Sequence, residues 1–314
     1  MNKITIIGTG SVGSTIAYTL TVTGLASEIV MIDLNNEKAL GEALDIRQGT
    51  PFCSPCSIYA GSYWDAVGSD IVIITSGIAR KPGQSRLDLA QTNVNITKSI
   101  IPEITRYAPD ATYIIVSNPV DILTYTFCKR SGLPEQKIIG SGTILDTARL
   151  RARLSEYYHI NQQNVHAYVM GEHGDSSFVP WSVANISNVP IEECPMSLKS
   201  AGVKQPSLDF SDIENYVRKS GARVIERKGA TYYAVSISVC YIVKCLLAGI
   251  DTTMTVSTMM HGEYGIDDCC LSVLAIVGRE GAHGKVMLGL TDAEVELLRN
   301  SERCLKDVMK NLSI

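Results

Sequence analysis

The sequence predicts an α/β protein: a doubly wound parallel sheet in its first half and a second, mixed α/β domain after it. Three observations carry this reading. Short apolar runs alternate with helix-length stretches as far as about residue 131, a glycine-rich turn joins the first run to the first helix, and the alternation breaks down after about residue 141. Strands that read as short continuous apolar runs between helices are buried on both faces, which is what a parallel sheet covered by helices requires.

Residues 4–7 form the first apolar run, 12–25 have helical apolar spacing, and 28–33 are apolar until the last residue, which makes a β-α-β unit. The alternation continues with a helix over 36–48, a strand over 70–75, a long helix over 87–107, a strand over 112–117 and a helix over 120–131. From residue 141 the order changes. A helix running through Leu150 and Tyr157 precedes strand-like runs over 165–170 and 178–186, then helices over 208–227 and 232–247. Two more strand-like runs, 253–260 and 271–278, lead to an amphipathic helix over 292–312. The division falls at residues 1–140 and 141–314. No low-complexity linker or internal repeat separates the halves, so they should pack closely with a cleft between them.

Length and composition restrict the function classes. A chain of 314 residues with 45% apolar and 19% charged residues can bury a large core. Its 28 Lys and Arg against 32 Asp and Glu give a net charge of −4, with no basic surplus to hold nucleic acid or an anionic membrane. No apolar run approaches the length of a membrane span. The opening residues lack the pattern of a secretory leader, so the expected compartment is the cytoplasm. Nine cysteines without framework spacing read as reduced thiols, and Cys53 and Cys56, with Pro51 and Pro55 beside them, read as part of a loop rather than a redox pair. No cluster has the spacing of a metal site.

Gly8-Thr9-Gly10-Ser11-Val12-Gly13 fits G-x-G-x-x-G between a strand and a helix. In that setting the first glycine allows a tight turn, the second lets the backbone approach a pyrophosphate, and the third lets helix and strand pack closely. The helix amino terminus supplies free N–H groups and partial positive charge. Asp33 closes the next strand 20 residues after Gly13, where a carboxylate binds ribose hydroxyls and repels a 2′-phosphate. The unit is a Rossmann-type dinucleotide fold and NAD the expected cofactor.

In the second half, His173 lies between Gly171-Glu172 and Gly174-Asp175, at the end of a strand-like run. A lone histidine is more often a structural hydrogen-bonder, but the glycines leave room for a ligand, and an imidazole passes the proton that accompanies hydride transfer to a carbonyl. Asp146 can orient such an imidazole, and Arg149, three positions further along the same helix face, offers a planar fork to a carboxylate. By spacing alone, a structural surface pair of Asp146 and Arg149 is the better reading.

The glycine fingerprint, the loop Arg80-Lys81-Pro82-Gly83-Gln84-Ser85-Arg86, the stretch Ser117-Asn118-Pro119-Val120-Asp121, the Asp146/Arg149 helix and Gly171-Glu172-His173-Gly174-Asp175-Ser176 occur together in one order. Over essentially the whole chain this arrangement resembles the L-lactate/malate dehydrogenase family, most closely its bacterial L-lactate branch. The resemblance implies His173 as proton donor and acceptor, Asp146 as its orienting partner, Arg149 as carboxylate clamp and Arg86 as the loop cation that polarises the keto oxygen. It also implies Asn118 beside the reacting carbonyl and the cofactor, Thr231 as a pocket wall, and Gly8, Gly10, Val12, Gly13 and Asp33 as the cofactor site.

Within the family, Arg80 occupies a position where lactate enzymes usually carry glutamine and malate enzymes arginine. An Arg80 facing the methyl group of pyruvate would be desolvated without a partner, whereas oxaloacetate would bring it a second carboxylate. Glu172 and Thr231 match the lactate enzymes instead. So do Arg151 and His166, which match the bacterial site for fructose 1,6-bisphosphate between subunits, although singly they read as a solvated helix charge and a half-buried strand residue. The sequence therefore reads as an L-lactate dehydrogenase, with L-malate dehydrogenase as the alternative, in a homotetramer acting on small 2-keto and 2-hydroxy acids. An NAD-requiring glycosidase would need a metal site that does not stand out. A catalytically silent NAD-binding protein would not need His173, Asp146, Arg149 and Arg86 together.

Overall fold

The computed structural model describes residues 2–78, 85–194 and 208–314, with Arg86 described in its backbone only. Arg80 lies outside the described residues. The first half supplies β1 (Lys3–Ile7), α1 (Ser11–Thr23), β2 (Glu28–Ile32), α2 (Asn36–Gly49), β3 (Ser57–Ala60), β4 (Ile71–Ile74), α3 (Arg86–Tyr107), β5 (Thr112–Ile115), α4 (Val120–Ser131) and β6 (Ile138–Gly140). The second half supplies α5 (Ile144–Tyr158), β7 (Val165–His166), β8 (Asn185–Ile186), β9 (Val189–Pro190), α6 (Phe210–Arg218), α7 (Ser220–Lys228), α8 (Tyr233–Leu247), β10 (Thr252–His261), β11 (Asp267–Gly278), β12 (Gly281–Lys285) and α9 (Asp292–Met309).

One sheet runs through both halves in the order β12-β11-β10-β6-β5-β4-β1-β2-β3. Its six strands from β6 to β3 are parallel, and the chain reverses its winding direction between β1 and β4. The antiparallel strands β10 to β12 extend the same sheet through the pairing of Ser257 with Gly140. Periodicity could not foretell that join, because it rests on a single pair of residues over a hundred positions apart. The doubly wound fold is therefore present, and the strands of the second half continue it.

Helices cover both faces. On one, Ile16 and Leu20 of α1 pack with Val239, Ile242 and Val243 of α8 against Ile4, Ile6, Ile29 and Ile73. On the other, Val94 and Ile104 of α3, Leu123 and Phe127 of α4 and Leu298 of α9 pack against Ile7, Ile74, Tyr113 and Ile115. A third cluster under α5 and α6 gathers Leu150, Leu154, Val165, Ile186 and Ile213.

Several elements differ from the sequence reading. The runs over 165–170 and 178–186 keep only two-residue strands, since Gly171 takes φ +92° and Pro180 has no N–H to pair. The stretch 208–227 divides at Lys219 into α6 and α7. Strands β3, β6 and β12 are short and were not expected; β3 and β12 lie at the sheet edges, where pairing on one side weakens the apolar pattern.

Candidate active site

The site lies at the carboxyl ends of the parallel strands, where the winding direction reverses. That is where an open α/β sheet leaves a crevice. The glycine turn follows β1. Gly8 has φ +98°, and a Cβ on it would stand 2.7 Å from the Ser76 nitrogen beyond β4. A Cβ on Gly13 would stand 1.9 Å from the Gly8 carbonyl oxygen, so any side chain there would push α1 off the turn. Gly10 faces open space and caps α1 without a side-chain bond, leaving the first-turn N–H groups to a ligand. A dinucleotide pyrophosphate fits this arrangement of an open glycine face and uncapped donors.

Asp33, just past β2, accepts the Thr9 N–H at 2.6 Å, the Thr9 hydroxyl at 3.1 Å and the Asn35 N–H at 2.9 Å. Burial pushes its carboxyl upward, but these bonds outweigh it and hold the group below the ordinary aspartate range. Asp33 is thus a fixed anion beside the turn. Val12 packs against the α8 cluster, and its carbonyl accepts the Ser236 hydroxyl. The sequence reading placed Val12 among the cofactor residues without foreseeing this link to α8.

Asn118 precedes a cis bond to Pro119, which opens α4. Its carbonyl accepts Asn93 Nδ2 at 2.7 Å, and Asn93 Oδ1 accepts the Ile78 N–H at 2.9 Å. Asn93 is almost fully buried on α3 and fastens the ends of two loops together, a role that nothing in its local sequence signals.

The chemical groups meet across the halves. Asp146 stands in the first turn of α5, and its Oδ2 lies 2.6 Å from His173 Nδ1 while Oδ1 accepts Arg149 Nη1 at 2.9 Å. Spacing favours an isolated surface pair; the structure makes Asp146 the bridge between Arg149 and His173. Asp146 is 8% exposed, and although burial pushes its carboxyl upward, His173 and Arg149 outweigh this and hold it below the usual range. Burial alone would depress the His173 pKa. Asp146, with Asp121 adding its charge and Arg149 opposing, raises it above the usual imidazole value instead. With Nδ1 given to Asp146, Nε2 is the ring atom left for a ligand.

The loop bearing His173 leaves Gly171, whose backbone exchanges two hydrogen bonds with Ser272 on β11. A Cβ on Gly171 would strike the Ser301 hydroxyl, and one on Gly174 would meet the Glu172 carboxylate, which accepts the Ser176 hydroxyl. Asn118, Asp146, Arg149, His173 and Thr231 line one cavity of about 330 Å³. Its far wall carries Arg218, Gly221 and Ile225 of α6 and α7, which the sequence reading did not single out.

His166 is exposed on β7. Arg151 bonds the neighbouring Ala167 carbonyl through Nε at 3.0 Å and lies over the Tyr168 ring, so the two side chains belong to one surface region away from the cavity.

Comparison with known proteins agrees along the whole chain. The profile of the lactate/malate dehydrogenase NAD binding domain matches residues 2–140, and that of the lactate/malate dehydrogenase alpha/beta C-terminal domain matches residues 143–313. The chain is 45% identical over 318 residues to an L-lactate dehydrogenase of Acetivibrio thermocellus, covering 100% of this chain and 98% of the relative. It is likewise 45% identical to L-lactate dehydrogenase 1 of Clostridium acetobutylicum, over 99% of this chain and 98% of that one. The crystal structure of the minor L-lactate dehydrogenase from Enterococcus mundtii superposes with a TM-score of 0.93 at 37% identity, covering 100% of this chain and 99% of the other.

Proposed function

This chain belongs to the lactate/malate dehydrogenase family, and from that premise we infer that it is an NAD-dependent L-lactate dehydrogenase, interconverting pyruvate and L-lactate. The observation that carries the reading is the Asp146–His173 pair beside Arg149 in one cavity that Val116, Asn118 and Ser141, at the carboxyl ends of β5 and β6, also line.

We assign residues 1–140 to cofactor binding and 141–314 to substrate. Gly8, Gly10 and Gly13 accommodate the pyrophosphate, Val12 and Asn118 flank the cofactor, and Asp33 takes the ribose hydroxyls. NADH, when bound, supplies the hydride. Arg149 holds the substrate carboxylate with a planar fork. His173 Nε2 gives its proton to the carbonyl oxygen, and Asp146 stabilises the imidazolium before transfer and fixes the ring that receives the proton back from lactate. Thr231 bounds the side of the cavity that receives the substrate methyl. Arg86 opens α3 and is assigned as the cation that stabilises the negative charge developing on the carbonyl oxygen, a role supported by its place in the family motif. The lactate reading requires Arg80→Gln to change pyruvate kcat/KM only modestly.

A homotetramer is supported by exposed apolar side chains on two helices that pack together, Tyr18 and Val22 of α1 with Ile237 and Tyr241 of α8. Arg151 and His166 form the fructose 1,6-bisphosphate site between subunits. Cytoplasmic residence is supported by nine cysteines that all stand as free thiols.

The test is NADH oxidation with a panel of 2-keto acids, using wild type and His173→Asn. Pyruvate should be the best substrate, with weaker turnover of oxaloacetate, and His173→Asn should lose at least about 10²-fold in turnover while keeping NADH affinity. A tenfold higher kcat/KM for oxaloacetate would overturn the lactate assignment. An active His173→Asn would remove that residue from the mechanism.

A further inference from the structure

Asp121 is a buried carboxylate that the reaction, as described, leaves unused. It stands in the first turn of α4, just after Asn118–Pro119, and is 3% exposed. Its Oδ2 accepts the backbone N–H of His173 at 2.7 Å, and its Oδ1 accepts the Ser257 hydroxyl of β10 at 2.6 Å. Among the described residues no lysine or arginine forms an ion pair with it. A carboxylate this deeply buried without a cation is unfavourable unless its charge is used.

The two anchors of His173 come from different halves of the chain. Asp146 on α5 holds the ring at Nδ1, and Asp121 on α4 holds the backbone of the same residue. The loop leaves β11 at the Gly171–Ser272 pairing and turns at Gly174, and between those points a ring fixed at one atom alone would pivot about its Cα. With the backbone tied as well, Nε2 has one direction. We propose, on the reading of the site given above, that Asp121 is a positioning residue of hydride transfer: its carboxylate ties the proton-carrying loop to α4 and β10, and its negative charge supports the imidazolium together with Asp146.

The groups facing these two side chains set the sign of the pH effect. His173 faces Asp146 and Arg149 from α5 and Asp121 from α4, with Glu172 beside it; Asp121 faces His173, Glu172, and the Cys269 and Cys270 thiols of β11. Burial pushes Asp121 up to about 6 against the opposing bonds from Ser257 and His173. Asp121 is therefore anionic at neutral pH and becomes neutral as pH falls through about 6. His173, raised above its ordinary value, loses its proton only on the alkaline side. Pyruvate reduction requires the first ionised and the second protonated, which gives a bell-shaped profile with Asp121 on the acid limb.

The experiment is kcat/KM for pyruvate from pH 4.5 to 9.5 at saturating NADH, with NADH affinity measured separately. Asp121→Asn keeps both hydrogen bonds, its amide oxygen accepting from His173 and its amide N–H donating to Ser257, and removes only the charge. The acid limb should disappear and the alkaline limb should move down by about half a pH unit or more, with NADH affinity within twofold. A loss that is equal at every pH, or a profile with both limbs unmoved, would overturn the proposal. If Asp121→Asn does not fold, Ser257→Ala decides: with one donor fewer on the carboxylate, the acid limb should rise by about half a unit or more, and an unmoved limb would overturn it. A wild-type enzyme inactive on pyruvate would instead refute the functional reading.

Discussion

Replacing Asp146 by asparagine tests the centre of the mechanism, because one carboxylate serves two cations. Its Oδ2 lies 2.6 Å from His173 and its Oδ1 2.9 Å from Arg149, in a position 8% exposed. The substitution removes the charge that overcomes the effect of burial on His173, so the imidazole pKa should fall below its ordinary value rather than stand above it. Less of the enzyme then carries the proton at pH 7. The imidazolium that remains is a half-buried charge that has lost its nearest counter-ion and keeps only the more distant Asp121, and discounted for its exposure the loss costs about 3–4 kcal/mol. At about 1.4 kcal/mol per factor of ten, pyruvate reduction should fall by about 10²- to 10³-fold. Because the overall equilibrium is unchanged, lactate oxidation should fall by a similar factor if cofactor affinity is kept. The assay is loss of NADH absorbance with pyruvate from pH 5 to 9, paired with NADH formation from lactate. A variant that keeps more than a tenth of its pyruvate turnover, with its alkaline limb unmoved, would refute this reasoning. The sign for stability is equally definite. Asp146, held below its unfolded value, contributes stability above that value and loses it as pH falls through the folded one. His173, held above its unfolded value, contributes below that value and loses it as pH rises through the folded one. The pair is therefore strongest between the two, and Asp146→Asn should lower Tm most within that window.

Two further outcomes follow from other parts of the molecule. Asp33, fixed as an anion by Thr9 and Asn35, should give NADH a kcat/KM at least about 10²-fold above NADPH, through repulsion of the 2′-phosphate and lost ribose bonds. Asp33→Ser should narrow the ratio; equal use of both cofactors by the wild type would show that Asp33 does not face the ribose. Fructose 1,6-bisphosphate should lower the pyruvate KM and increase the tetramer fraction in analytical ultracentrifugation, and Arg151→Gln should abolish both responses. An enzyme indifferent to the bisphosphate would remove Arg151 and His166 from any regulatory site.

The sequence by itself determined the features that depend on neighbours along the chain. A strand, a glycine turn and the start of a helix made the dinucleotide cradle legible, and Gly13 is crowded by the Gly8 carbonyl five positions earlier, whereas the crowding at Gly8 comes from Ser76 beyond β4, which only the folded sheet brings there. Asp146 and Arg149 are three apart on one helix, and the local spacing already put them on one face. The helices of the first half were legible for the same reason: their apolar periodicity is the face that covers the sheet. What only the tertiary structure decided involves residues far apart. Asp121 bonds a residue 52 positions away and another 136 positions away, and Asn93 reaches Asn118 across 25. The join of β6 to β10 rests on one pair, Gly140 with Ser257, and β12 on a short edge pairing. Such contacts leave no period in the sequence, since each is a single side chain whose partner is chosen by how the layers close. The surface ion pair that spacing allowed for Asp146 became a buried bridge to His173 by the same physics: packing α5 against the His173 loop excluded water, and a carboxylate denied water must find its partners in the protein.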